Sequence, residues 1–249
     1  VALANLANKQ GRRAADAIAG IAQNEKSNKS LGTAVVKVFD LTVAMTGASS
    51  RRLNQMNREH ISIHTHPNDH AGYYPGAEKM HLAIHIDPHT GEILGAQGVG
   101  PRDVVRRIDV LATAITGGLS AIDLIDLELS YAPQYGSAKD PINMLGYISD
   151  GIINGKDATI SSSDLEGKTL IDVRTKEEFE DGTIPGAINI ELDTLREKIT
   201  EIPKTEEIVV FCQVGQRGHN AAGLLNQLGY NVSNLDGGYE TWRVLNDLH

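Results

Sequence analysis

The chain has 249 residues, a formal net charge of −9, 41% hydrophobic and 4% aromatic residues, and one cysteine. That length suffices for two ordinary domains of about 100 to 150 residues, and a lone cysteine excludes an internal disulfide, a Cys-rich zinc module and a two-cysteine redox pair within the chain. The acidic balance argues against nucleic acid, which needs a basic face, and no apolar run nears the roughly 20 residues of a membrane helix, so a soluble, cytoplasmic chain is expected.

The chain starts at Val1 rather than Met, and residues 6–20 read at once as the approach to a helix: Ala14, Ala15, Ile18 and Ile21 recur at helical spacing, with Asn8 read as the cap. A chain that opens inside an organised segment reads as the remainder of something longer. Residues 24–30 (NEKSNKS) predict a loop. From Thr33 the period changes to two. Residues 34–39 and 41–45 predict strands, Gly47 to Ser50 cap a short polar helix to Met56, and alternation over 61–66, 82–86 and 92–99 suggests a β-meander. Val104, Val105, Ile108, Leu111, Ala112 and Ile115 form one apolar stripe over 103–116, with Asp103 in the first turn and Gly117-Gly118 as the stop. Helices over 121–129 and 142–153 follow, separated by the loop 131–141. Strands first and helices after predict an α+β unit with helices on one side of an antiparallel sheet. His64 and His66 share one strand face, His81 and His85 another, with His60, His70 and His89 nearby. They form the polar half of the alternation, which predicts a solvated sheet face, so no metal site is expected.

Residues 156–249 hold 17 acidic and 9 basic residues, nearly the whole net charge, a step that predicts a second, separately evolved unit. Its rhythm differs: strands at 169–173, 187–190, 208–211 and 232–235 alternate with helical segments at 176–180, 195–202 and 218–228, which predicts a parallel sheet. Residues 151–156 read as the linker.

Cys212 follows the β-branched run 208–211, and the loop Cys212, Gln213, Val214, Gly215, Gln216, Arg217 leads through Gly218 into a helix. In a parallel sheet this sets the sulfur at the carboxyl end of a strand, facing a crevice and a helix N-terminus. Loop amides, the helix dipole and Arg217 together form an anion-holding nest, surroundings that stabilise the nucleophilic thiolate.

These residues, with Asp172-Val173-Arg174, Glu177-Glu178-Phe179, the run 182–190 (GTIPGAINI) and Leu235-Asp236-Gly237-Gly238-Tyr239 with Trp242, resemble a rhodanese domain over about 157–249. The resemblance implies that Cys212 carries sulfane sulfur as a persulfide, with Asp172 and Arg174 as loop support. Thr183 departs from the family, which often has His there. The six-residue loop suits sulfur, whereas related phosphatases use one residue more. Arg217 is its only cation, which favours an organic persulfide or polysulfide donor over the thiosulfate dianion.

In the first unit, residues 6–12 (LANKQGR), 37–42 (KVFDLT), 70–77 (HAGYYPGA), 95–100 (GAQGVG) and 131–135 (YAPQY) resemble the C-terminal part of flavin-dependent pyridine nucleotide-disulfide oxidoreductases, closest to the coenzyme A disulfide reductase and NADH oxidase branch. The family's dinucleotide fingerprints, flavin-binding Asp motif and redox cysteine lie upstream. The nearest approach to GxGxxG, Gly98-Val99-Gly100, has Asp103 where the third glycine belongs. The resemblance implies a homodimer in which Tyr73 and Tyr131 complete the opposing subunit's flavin site, with Tyr74 and Tyr135 as neighbours. Ala4, Asn5, Leu6 and Ala7 would lie near the flavin, with Tyr131, Ala132 and Pro133. FAD, NAD(P)H and coenzyme A would serve the intact protein, and the rhodanese unit would need no cofactor.

The expected order is a remnant of the FAD-binding domain (1–30), an α+β dimerisation domain (31–150), a linker (151–156) and an α/β rhodanese domain (157–249). The expected function is the C-terminal portion of a flavin-dependent NAD(P)H reductase of coenzyme A disulfides, persulfides or polysulfides. The alternative is a non-redox dimeric sulfur carrier without flavin domains.

Overall fold

The computed structural model describes residues 3–21, 30–204 and 206–246; the predicted loop 24–30 falls almost wholly outside them. Helix α1 (Ala4–Ile18) begins at Leu3 and buries none of its residues. Asn8 lies inside it rather than capping it, its side chain donating to the Ala4 carbonyl at 3.0 Å.

The first sheet contains β1 (Ala34–Val38), β2 (Leu41–Gly47), β3 (Ile61–Thr65), β4 (His81–Ile86) and β5 (Ile93–Gly100). All pairings are antiparallel and the order is β1-β2-β5-β4-β3. It departs from a simple meander because β5 runs between β2 and β4. Short α2 (Ser50–Gln55), capped by Ser49, lies between β2 and β3. The predicted long helix forms as α3 (Val104–Gly117), ended by Gly118 at φ 77°. It packs on β5 through Gly98, where a Cβ would lie 2.7 Å from Val104 and 3.0 Å from Leu82. Ile63, Leu82, Ile84, Ala96, Val104, Ile108 and Leu111 share this core with Leu124 and with Leu145 of α4 (Pro141–Ile153).

The predicted helix at 121–129 is only a 3-10 turn, Ile122–Asp126. Tertiary contact overrides the local pattern: Asn143 Nδ2 reaches the carbonyls of Leu124, Ile125 and Leu127 at 3.0, 3.2 and 3.0 Å, and Gly146 brings α4 against Ile125.

The second sheet is wholly parallel, in the order β6-β10-β9-β7-β8. Its strands are β6 (Thr159–Ile160), β7 (Thr169–Asp172), β8 (Ile188–Asn189), β9 (Ile208–Phe211) and β10 (Val232–Leu235), with helices α5 (Lys176–Glu180), α6 (Gln216–Gln227) and α7 (Gly238–Asn246). One face packs under Ala221 and Leu225 of α6, the other under Tyr239 and Trp242 of α7. Strand β6 and helix α7 go beyond the predicted elements. The predicted helix at 195–202 does not form; single 3-10 turns at Leu192–Thr194 and Ile199–Glu201 replace it. A continuing helix would direct the Ile199 carbonyl to residue 203, a proline without N–H; the Tyr230 hydroxyl bonds that carbonyl instead, at 2.8 Å.

The histidines do not form a solvated face. His85 is buried, held between Ser62 and Gln97 at 2.9 and 3.1 Å, while His64 and His66 bond to Asp236 and Thr241 of the second unit. Burial, then the charge of neighbouring imidazoles, lowers His66 and His85 each to about 4.

Fully buried Arg107 of α3 ties the loops of the first unit together. It pairs with Asp103, donates to Asp140 Oδ2 at 3.0 Å and reaches the Asp69 carbonyl at 3.1 Å. Asp140 also caps α4. Replacing Arg107 by Leu removes these charge-assisted hydrogen bonds but leaves Asp140 paired with Arg106 at 2.9 Å, so denaturant unfolding of this unit should show a loss of about 1.5–3 kcal/mol; a change under about 0.5 kcal/mol would contradict this role.

Candidate active site

Cys212 is buried, immediately beyond Phe211 at the carboxyl end of β9. The next residues turn through Gly215 at φ 96°, a left-handed conformation that favours glycine, and α6 starts at Gln216, two residues earlier than expected. Its first intrahelical bond runs from the His219 amide to the Gly215 carbonyl at 2.9 Å, so the preceding amides lack helical acceptors. Asn234 Nδ2 also donates to the Gly215 carbonyl, at 3.1 Å. The turn entering α7 braces the loop from behind: the Tyr239 and Glu240 amides donate to the carbonyls of Cys212 and Gln213 at 2.8 and 2.9 Å.

Asp172 and Arg174 form a buried pair, Arg174 Nη2 lying 2.7 Å from Asp172 Oδ2. Thr183 donates to the same oxygen at 2.8 Å, so the residue that departs from the family pattern joins this network. Arg174 Nη1 donates to Gln213 Oε1 at 3.0 Å, and its guanidinium lies 4.3 Å from the Tyr239 ring centre. Gln213 in turn donates to Glu240 at 2.8 Å. Charges buried beside the sulfur loop are thereby paired.

Arg217 is not a free cation. Its two terminal nitrogens donate to the two Glu178 oxygens at 2.7 and 2.6 Å. This contact lowers Glu178 to about 2 and raises Arg217 above its ordinary value, with neighbouring Cys212 adding a smaller hydrogen bond and charge. Glu178 and the Asp236 turn were present in the sequence motifs, whereas Gln213's partner Glu240 was not singled out, and spacing alone gave no signal of these contacts.

Tyr73 and Tyr131, 58 residues apart, meet with their hydroxyls 3.1 Å apart. The Ala71 amide donates to the Pro133 and Gly136 carbonyls at 3.2 and 2.9 Å, joining the two loops, and Tyr135 bonds back to Ala132. The hydrogen bond with Tyr73 raises the Tyr131 pKa. Both rings face outward, 78% and 47% exposed. Ala4, Asn5, Leu6 and Ala7 lie on unburied α1. The helix carrying these four residues and the two phenols are exposed surface. Between the two units lies a cavity of about 700 Å³, lined by His64, Lys139 and Tyr147 on one side and Val214, His219 and Asp236 on the other.

Comparison with known proteins agrees with both halves. Residues 33–140 match the pyridine nucleotide-disulphide oxidoreductase dimerisation domain and residues 158–244 the rhodanese-like domain. The crystal structure of reduced Bacillus anthracis CoADR-RHD is 44% identical with a TM-score of 0.93, the match covering 98% of this chain and 45% of that one. The NAD-dependent persulfide reductase from A. fulgidus is 33% identical with a TM-score of 0.86, covering 97% and 44%. Coenzyme A disulfide reductase of Staphylococcus haemolyticus is 38% identical over 117 residues, 47% of this chain and 26% of that protein. The chain thus spans less than half the length of these relatives. Each family match covers less than half of this chain: the first part is similar to pyridine nucleotide-disulphide oxidoreductase dimerisation domains and the second to rhodanese-like domains.

Proposed function

We propose that the chain is the dimerisation and rhodanese half of a flavin-dependent NAD(P)H reductase of coenzyme A disulfides, persulfides or polysulfides, working as a cytoplasmic homodimer. The observation that carries this reading is that solved structures similar along nearly the whole chain pair both units, one of them an NAD-dependent persulfide reductase. It favours the reductase over the carrier alternative. No helix among the described residues is long and apolar enough to cross a membrane. On this reading residues 1–30 close an FAD-binding domain, 31–150 dimerise, 151–156 link and 157–249 carry sulfur. FAD, when bound by upstream domains, would pass electrons from NAD(P)H to the sulfur substrate.

At the second unit, the Cys212 thiolate attacks the outer sulfur of an organic persulfide RS–SH. A Cys212 S–S bond forms, the RS–S bond breaks and RS⁻ leaves, giving the cysteine persulfide without net oxidation. Arg217, the loop residues Gln213, Val214, Gly215 and Gln216, and Gly218 in the first turn of α6 hold the resulting sulfur anion. Because Glu178 already balances Arg217, the loop offers little net positive charge, which suits an organic persulfide better than the thiosulfate dianion. On the first unit, the phenols of Tyr73 and Tyr131 would donate to a departing thiolate in the opposing subunit, and the Tyr73 bond keeps Tyr131 protonated.

Three outcomes test these roles in the full-length protein. Mass spectrometry after exposure to glutathione persulfide should reveal a sulfur adduct on Cys212 that is absent in Cys212→Ser; an unmodified Cys212 would overturn its role. Glu178→Gln should raise kcat/KM for thiosulfate relative to glutathione persulfide by about tenfold, on the order of one charge-assisted contact; an unchanged ratio would remove Glu178 from specificity. Tyr131→Phe should slow NADH-dependent reduction of coenzyme A disulfide by about 100-fold while leaving sulfur uptake by Cys212 intact, whereas full reductase activity would exclude the phenol from proton donation.

A further inference from the structure

The first unit grips the second at the turn that backs the sulfur loop. The His64 amide donates to Asp236 Oδ1 at 2.9 Å, and its ring Nδ1 lies 2.5 Å from Oδ2. Both oxygens of one carboxylate therefore face a single residue of β3. Gly237 and Gly238 follow at φ 63° and 62°. A Cβ on Gly237 would come within 3.0 Å of the His64 Cβ, and one on Gly238 within 2.8 Å of the Gly215 amide nitrogen. Only two glycines allow the turn to lie against His64 on one side and the sulfur loop on the other. The next two amides hold the carbonyls of Cys212 and Gln213. His66, on the same side of the sheet, bonds Thr241 Oγ1 at 2.7 Å and His81 at 2.6 Å.

We propose that His64 is a positioning residue for the sulfur loop: by clamping Asp236 it fixes the 236–240 turn behind Cys212, so that the dimerisation sheet sets the geometry in which the cysteine accepts and releases sulfane sulfur. The proposal rests on the reading of Cys212 as the sulfur carrier.

The clamp titrates. Burial lowers the His64 pKa, but the hydrogen bond and charge of Asp236 more than offset it and leave it above 6.5. A raised value means the charged contact is fully present below about pH 6.5 and is lost as the pH rises through that raised value. The other groups around it are His66, His81 and His85 on the sheet, Glu240 of α7 and Lys79 before β4. Across the cavity lie Lys139 and the His219–Asp157 pair. His66, His81 and His85 are lowered while His64 is raised, so on acidification His64 takes its proton first and the other imidazoles begin to oppose docking only below about pH 6.5.

The test uses the full-length protein, glutathione persulfide as donor and cyanide as acceptor, with thiocyanate release followed against pH. His64→Ala and Asp236→Asn should each lower the rate about tenfold, and the double variant should be no slower than either, since both remove one contact. His64→Gln, which keeps a donor toward Asp236 but does not titrate, should recover most of the rate and flatten the wild-type decline above neutral pH. Unchanged rates, independent multiplying losses, or a His64→Gln profile that declines like the wild type would overturn the proposal. A wild-type protein that takes up no sulfur on Cys212 would instead overturn the reading beneath it.

Discussion

The second unit depends on the close approach of two backbone segments at the carboxyl end of its sheet. The turn entering α7 lies against the strand-to-helix loop so tightly that Gly238 has no room for a side chain between it and the Gly215 amide. The contact gives the Cys212 and Gln213 carbonyls their partners from the turn. Carbonyls at the end of a buried strand would otherwise face a dry interior unpaired, at about 1–3 kcal/mol each. Once they are satisfied from behind, the loop is free to keep its first-turn helix amides for a ligand on the sulfur.

Charge near the sulfur follows the same economy. Three acidic residues, Asp172, Glu178 and Glu240, stand around the loop and are engaged by Arg174, Arg217 and Gln213 respectively. The paired network fixes loop shape without leaving a strong positive field. In the first unit, buried Arg107 plays a comparable part, joining the loops at Asp69, Asp103 and Asp140. These loops also lead to Tyr73 and Tyr131, whose hydroxyls meet across 58 residues of sequence.

Much of this was legible in the sequence where local signals and fold agree. The period-two runs became β1 to β5, the stripe from Val104 to Ile115 became α3, and the Cys212 loop sat between strand and helix as its glycine and cysteine implied. Misreadings arose where distant residues decide. Pro203 and the Tyr230 hydroxyl prevented a helix at 195–202, and Asn143 drew three carbonyls of the 121–129 segment into its own contacts. The histidine pattern was polar as expected, yet a strand face can be polar because a second unit docks on it. Asp236 and Thr241, more than 170 residues away, are what His64 and His66 face.

The proposal that joins the two units is that sulfane sulfur carried on Cys212 is delivered for reduction by the flavin-dependent half of the intact protein. A single turnover of the full-length protein tests it: load Cys212 with isotopically labelled sulfane sulfur, remove the donor, and add NADH without oxygen. The account predicts labelled sulfide released in proportion to the loaded Cys212, as the persulfide takes up a hydride equivalent and a proton to give thiol and sulfide. Retention of the label on Cys212 while NADH is oxidised with another sulfur substrate would contradict it.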